Sequence, residues 1–252
     1  MSEQRDKNLW IFNAGNSFAG NPKWMFEYII RHHKEIKPVW MCYNADTMNY
    51  VHKLGYEAEL YHSSKGKSVM AKAGVYVVEM CKEVFQPELS GITVLNLWHG
   101  VGCKSIERKV TDGFLQERIA KKYIQNNDIL RNNQLFLVTS EIMEKHFKEQ
   151  CGIDDDKVIR AGYPRCVVND NIQSYDHDIR KKKGLSANTK LAIYCPTYRD
   201  NNGANFMKSA LPDMKRLAEV LHENNILLIL KMHPLVEKDT QYLAMKEVYR
   251  EH

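Results

Sequence analysis

Short apolar, β-branched runs alternate along this chain with segments whose apolar residues recur every three to four positions. The first run, Leu9 to Phe12, reads as a strand. Behind it "KWMFEYIIRHH" carries helical spacing, and Pro22 suits the first turn of that helix, where an N–H would have no partner. Strands follow at Pro38 to Tyr43, Ala58 to Tyr61, Val75 to Glu79, Val94 to Leu97, Leu135 to Thr139 and Lys157 to Ala161. Helices are predicted from about Asp46, over Lys65 to Ala73, over "GFLQERIAKKYIQ", and over "EIMEKHFKEQCG", for which Ser140 is the N-cap. Strand and helix in alternation point to an α/β fold built on a parallel sheet with helices on both faces.

A charged, irregular stretch from about Asn169 to Asn188 interrupts the pattern. After it "LAIYCPTYR" opens a second set: strand, helix over Leu211 to Glu223, strand "ILLILKMHP", and a helical pattern from Glu237. The expected organisation is residues 1–170 as a Rossmann-like domain, 171–188 as a linker, and 189–252 as the beginning of a second Rossmann-like domain. Two strands cannot cover both faces of a sheet alone, so the chain is expected to be a fragment or to be completed by another chain.

Composition narrows the class without naming a chemistry. With 44% hydrophobic and 10% aromatic residues among 252, the chain has the makings of a folded protein. Its longest apolar run, Ile226 to Leu230, falls far short of the roughly 20 residues of a membrane-spanning helix. The polar opening "MSEQRDKNLW" lacks a signal-peptide core, which predicts a cytoplasmic protein. Six cysteines are spread with neither zinc nor disulfide-framework spacing, so reduced thiols are expected. A net charge of +5 suits an anionic substrate or an anionic membrane face and is too small to argue for nucleic acid.

Candidate chemistry gathers where strands end. In "NAGNSFAGNPK" the glycines, Gly20 among them, permit close backbone approach, and the following helix N-terminus offers N–H groups to an anion, with Asn21 and Lys23 beside it. The loop is neither a P-loop nor G-x-G-x-x-G, and it reads equally as an ordinary βα turn. In "VLNLWHGVGCKSI" an apolar strand ends in Trp98, His99 and Gly100, then Gly102 and Lys104. An imidazole there can accept a proton from an attacking hydroxyl, or can simply cap the strand. Arg165 of "AGYPR" could fork onto a phosphate. From the second set, Arg199 of "PTYRD" and Lys231 and His233 of "KMHP" belong at one sheet edge.

Taken in order, "GNPKWMFEYI", "NLWHGVGCKSI", "TSEIMEKHF", "GYPR", "CPTYRD" and "KMHP" resemble the CDP-glycerol glycerophosphotransferases of teichoic acid and capsule synthesis. The resemblance runs from about Trp10 to Pro234. The family motif is closer to W-H-G-T-P-L-K; Trp98, His99, Gly100 and Lys104 fit it, and Val101, Gly102 and Cys103 do not. G-Y-P-R is usually followed by Asn and Asp, where this chain has Cys166 and Val167.

The resemblance implies a GT-B architecture, two Rossmann-like domains with no metal or cofactor. It implies transfer of an alditol phosphate from CDP-glycerol or CDP-ribitol to a hydroxyl of a polyol-phosphate or glycan acceptor, lipid-linked in some systems, with CMP released. His99 would be the general base, and His233 with Lys231 would stabilise phosphate or leaving-group charge. Gly20, Asn21, Lys23, Trp98, Gly100, Lys104, Arg165 and Arg199 would line the substrates. The family's D-Y-S-S-like segment is absent from this sequence. "ERIAKKYI", with Lys104, Arg108 and Lys109, would touch an anionic membrane or be a solvated face. Two other readings stand beside this one: a non-catalytic acceptor-binding part of a multidomain polymerase, and another GT-B sugar transferase or epimerase.

Overall fold

A computed structural model of the protein describes residues 5–80, 86–102, 104–112, 115–125, 133–167, 179–196, 210–233 and 240–248. It divides into two compact units, residues 1–171 and 172–252.

In the first unit seven parallel strands lie in the order β3-β2-β1-β4-β5-β6-β7. They are β1 (Asp6–Asn13), β2 (Lys37–Cys42), β3 (Ala58–Leu60), β4 (Ala73–Val78), β5 (Thr93–Asn96), β6 (Gln134–Val138) and β7 (Val158–Arg160). Helices α1 (Gly20–His32), α2 (Ala45–Lys53), α3 (Ser64–Lys72), α4 (Leu115–Gln125), α5 (Glu141–Cys151) and the short α6 (Pro164–Val167) fall between or after them. The chain runs outward from β1 to β3 and returns to β4 on the other side of β1. That reversal makes the β1/β4 junction the switch point of a doubly wound sheet.

Alternation along each strand sorts its side chains onto two faces. On one face Phe12, Trp40, Val77, Leu95 and Phe136 join Phe26 and Phe147; on the other Ile11, Met41, Tyr76, Val78 and Val94 pack with Met70 and Leu89. Aromatic edges fill the first face: Phe12 meets Phe26 with ring centres 5.2 Å apart, and Phe26 meets Trp40 at 5.6 Å, both nearly perpendicular. Burial pushes the Cys42 thiol in this core up to about 12.

Helix ends follow local chemistry. Asn44, Ser63 and Ser140 each accept a backbone N–H as N-caps, and α5 stops at Gly152 in the left-handed region. The edge strands β3 and β7 are three residues long.

The second unit carries α7 (Ile179–Lys183), β8 (Lys190–Tyr194), α8 (Met214–Glu223), β9 (Ile226–Leu230) and α9 (Thr240–Val248). The described part of the expected linker thus contains a helical turn, tied to the start of β8 by Arg180 Nε donating to Thr189 O at 2.7 Å. β8 and β9 pair in parallel from Lys190 opposite Ile226 to Tyr194 opposite Leu230. Met232 and Tyr242 are buried against Tyr194, Leu211, Leu230 and Met245.

Candidate functional site

The strand β5 does not stop cleanly at its apolar end. Leu97 N still donates to Val78 O at 2.8 Å, continuing the ladder, and the backbone then turns left-handed at Trp98, with φ of +52°. For a tryptophan this conformation costs about 1–2 kcal/mol. Asn96 helps to hold it, since its Oδ1 accepts Trp98 N at 3.1 Å while its Nδ2 donates to Gln134 Oε1 on β6, also at 3.1 Å. The Trp98 ring is buried against Phe136 and Phe147, at 5.6 and 5.3 Å. The exposed His99 ring stacks on it, with centres 4.5 Å apart and planes at 20°.

Three successive carbonyls of this loop each accept a side-chain hydrogen bond from a different residue. Trp98 O accepts from Asn21 Nδ2 at 2.8 Å, His99 O from an Arg165 guanidinium nitrogen at 2.8 Å, and Gly100 O from the Tyr163 hydroxyl at 2.7 Å. Asn21, wholly buried, also accepts Arg165 N on its Oδ1 at 3.3 Å. Burial holds the Tyr163 hydroxyl above its ordinary range, against the opposing pull of Arg165 and its hydrogen bonds. Gly102 N points to the Met143 sulfur at 3.2 Å, and Gly102 lies against the His146 ring. His146 Nε2 is buried there with no hydrogen-bond partner among the described residues.

At the N-terminus of α1, which the sequence offers to an anion, the chain places a carboxylate of its own. Asn21 N donates to Glu79 Oε1 at 2.7 Å, so a carboxylate from the end of β4 already sits at the positive end of the helix, at the switch point. Gly20 makes room for it: a Cβ there would run into that carboxylate. The loop before it is closed by Asn13, whose Oδ1 accepts Gly15 N at 2.9 Å and whose Nδ2 donates to Met41 O at 2.7 Å.

The structure therefore brings Gly20, Asn21, Trp98, His99, Gly100 and Arg165 to one end of the sheet. Lys23 turns inward: only 8% exposed, it lies 5.6 Å from the ring centres of Phe18 and Trp24 and 3.9 Å from Glu27. Burial raises the Glu27 carboxyl, with Lys23 and Arg31 opposing it. Lys104 is exposed on the loop beyond Gly102. In the second unit Lys231 and His233 flank buried Met232 just past β9 and are both exposed; Lys231 N donates to Tyr194 O at 3.0 Å. Arg199 lies outside the described residues. Among those described, no group of three or more His, Cys, Asp or Glu side chains could hold a metal ion.

Sequence reasoning saw Glu79 only as the end of a strand, and Asn96, His146 and Tyr163 only as parts of motifs. Asn96 carried a local signal, an Asn two residues ahead of a sharp turn. The partners of Glu79 and His146 lie 58 and 44 residues away in sequence.

The family described as CDP-glycerol:poly(glycerophosphate) glycerophosphotransferase matches residues 1–250. The chain belongs to this family. The chain is similar to the teichoic acid poly(glycerol phosphate) polymerase of Bacillus subtilis (strain 168), 25% identical over 242 residues that cover 89% of this chain and 31% of that protein. The teichoic acid ribitol-phosphate polymerase TarL of Staphylococcus aureus (strain NCTC 8325 / PS 47) is 28% identical over 172 residues, covering 63% of this chain and 29% of that one. In structure the chain is similar to a variant of the wall teichoic acid polymerase TagF soaked with CDPG. That match has a TM-score of 0.70 at 18% identity and covers 94% of this chain and 59% of the other. The fold is the α/β, GT-B-like one expected. The chain spans about a third of the length of the Bacillus subtilis relative.

Proposed function

We propose that the protein acts as a glycerophosphotransferase of its family, moving glycerol phosphate or a related alditol phosphate from a CDP-activated donor to a hydroxyl of a polyol-phosphate acceptor. The observation that carries this reading is His99: an exposed imidazole on a backbone fixed at three consecutive carbonyls, within the W-H-G of a family member.

In this mechanism His99 takes the proton of the acceptor hydroxyl as its oxygen attacks the alditol-bearing phosphorus. The new O–P bond forms as the pyrophosphate bond breaks, and CMP leaves. A fixed base spends none of the reaction barrier on finding its orientation. Lys104, exposed on the same loop cluster, bears on the phosphate charge.

For the acceptor, a lipid-linked polymer or primer at an anionic membrane face fits the exposed Arg118, Lys121 and Ile124 of α4. No helix among the described residues is long and apolar enough to cross a membrane. The short span relative to the relatives favours a second reading, in which this chain is the acceptor-binding portion of a longer polymerase.

The deciding measurement is CMP release from CDP-glycerol and from CDP-ribitol, with a polyol-phosphate acceptor and a His99→Ala control. Transfer is expected, falling by about 100-fold or more in the variant. Acceptor binding without CMP release would replace the first reading by the second.

A further inference from the structure

We propose that Asn21 and Arg165 are positioning residues for His99, acting through the loop backbone rather than through contact with substrate; this rests on His99 being the base of the reaction above.

Asn21 is 0% exposed, so no substrate atom reaches its amide. Both ends of that amide are committed, Nδ2 to Trp98 O and Oδ1 to Arg165 N. Its own backbone N–H is held by Glu79, so the amide is presented from a fixed helix end. What it holds needs holding. Trp98 occupies a left-handed conformation that a tryptophan leaves readily, and the direction of the His99 side chain follows from it. Arg165 adds the next link, since its guanidinium bonds the carbonyl of His99 itself and lies 5.7 Å from the Tyr163 ring. The cation that the sequence offers to a phosphate thus has a donor turned to the main chain of the base. α1, α6 and the loop after β5 meet at this point, and α6 packs on α1, so the clamp is built on elements that already touch.

The test uses the whole 252-residue chain with labelled histidines. Because His99 stacks on Trp98, its ring signals are displaced upfield; the His99→Gln spectrum assigns them. Asn21→Asp keeps shape and the acceptor for Arg165 N but sets a carboxylate against Trp98 O. In that variant the upfield displacement should collapse while the other histidine signals and the circular dichroism persist. In transfer assays kcat should fall by about 10–100-fold with KM little changed. Arg165→Gln, at an exposed side chain, should reduce the displacement in the same direction, and it serves if Asn21→Asp does not fold. His99 signals unmoved in both variants, or a raised KM at unchanged kcat, would overturn the proposal. Absence of CMP release by the unaltered chain would sink the transferase reading instead, and the ring displacement would still judge the clamp.

Discussion

Gly102 sits so tightly on His146 that a Cβ added to it would come within 2.6 Å of the imidazole Cδ2 and closer still to Nε2. The loop carrying His99 therefore rests on α5 through a glycine. Gly102→Ala is expected to displace the loop at a cost of about 1–3 kcal/mol, the range for overpacking. Adding His146→Ala should return most of that loss, and a double-mutant cycle on thermal stability measures the coupling.

Gly20 combines two demands, a φ of +69° and contact with the Glu79 carboxylate. Gly20→Ala should therefore lower stability by at least about 1–2 kcal/mol through the left-handed backbone alone. Glu79→Ala in the same chain relieves the clash but leaves Asn21 N without its acceptor. Urea denaturation should accordingly show partial rescue and no more.

Far from the site, the Arg5 guanidinium donates to the carbonyls of Met70, Ala71, Ala73, Glu88 and Ser90, at 2.6 to 3.2 Å. It joins the end of α3, the start of β4 and the turn before β5. Arg5→Ala should cost about 2–3 kcal/mol. Arg5→Lys should recover little of it, because an ammonium cannot reach so many acceptors at once. Thermal melts of the three proteins decide the matter.

Glu144 binds α5 to β7, with Arg160 donating to both carboxylate oxygens at 2.7 Å and Lys148 beside it. The Arg160 hydrogen bonds first, then Lys148, hold the Glu144 carboxyl below its ordinary range. A carboxyl depressed in the folded state contributes stability that is complete above its unfolded value, about 4.3, and lost as pH falls through the lower folded value. Melting temperature should drop across that acid window, and Glu144→Gln should flatten the drop while lowering stability at neutral pH.

The elements of this fold were legible because each rests on a local signal. Ser140 before a 3-4 apolar pattern caps α5, and Gly152 ends it. Phe12 and Ile11 declare opposite faces of β1 by alternation alone. What binds the site together is not local. Asn21 meets Trp98 across 77 residues and Arg165 across 144, and no periodicity relates them. Charge misled for the same reason: Lys122, read with the basic surface of α4, is 7% exposed and paired with buried Glu107, whose φ of +50° turns it inward. Strand order was equally hidden, since alternation of strand and helix is satisfied by several windings of a parallel sheet.

The two edges of the first unit's sheet are three residues each, against eight for β1 in its interior. A strand arriving from a second molecule finds a ladder of one or two backbone bonds at either side, too short a template for growth. On the outer edge it also meets Arg160, held by Glu144. The sheet is thereby protected against edge-to-edge aggregation by the brevity of its outermost strands, with the apolar runs of β1 and β4 kept to the interior where they are paired on both sides.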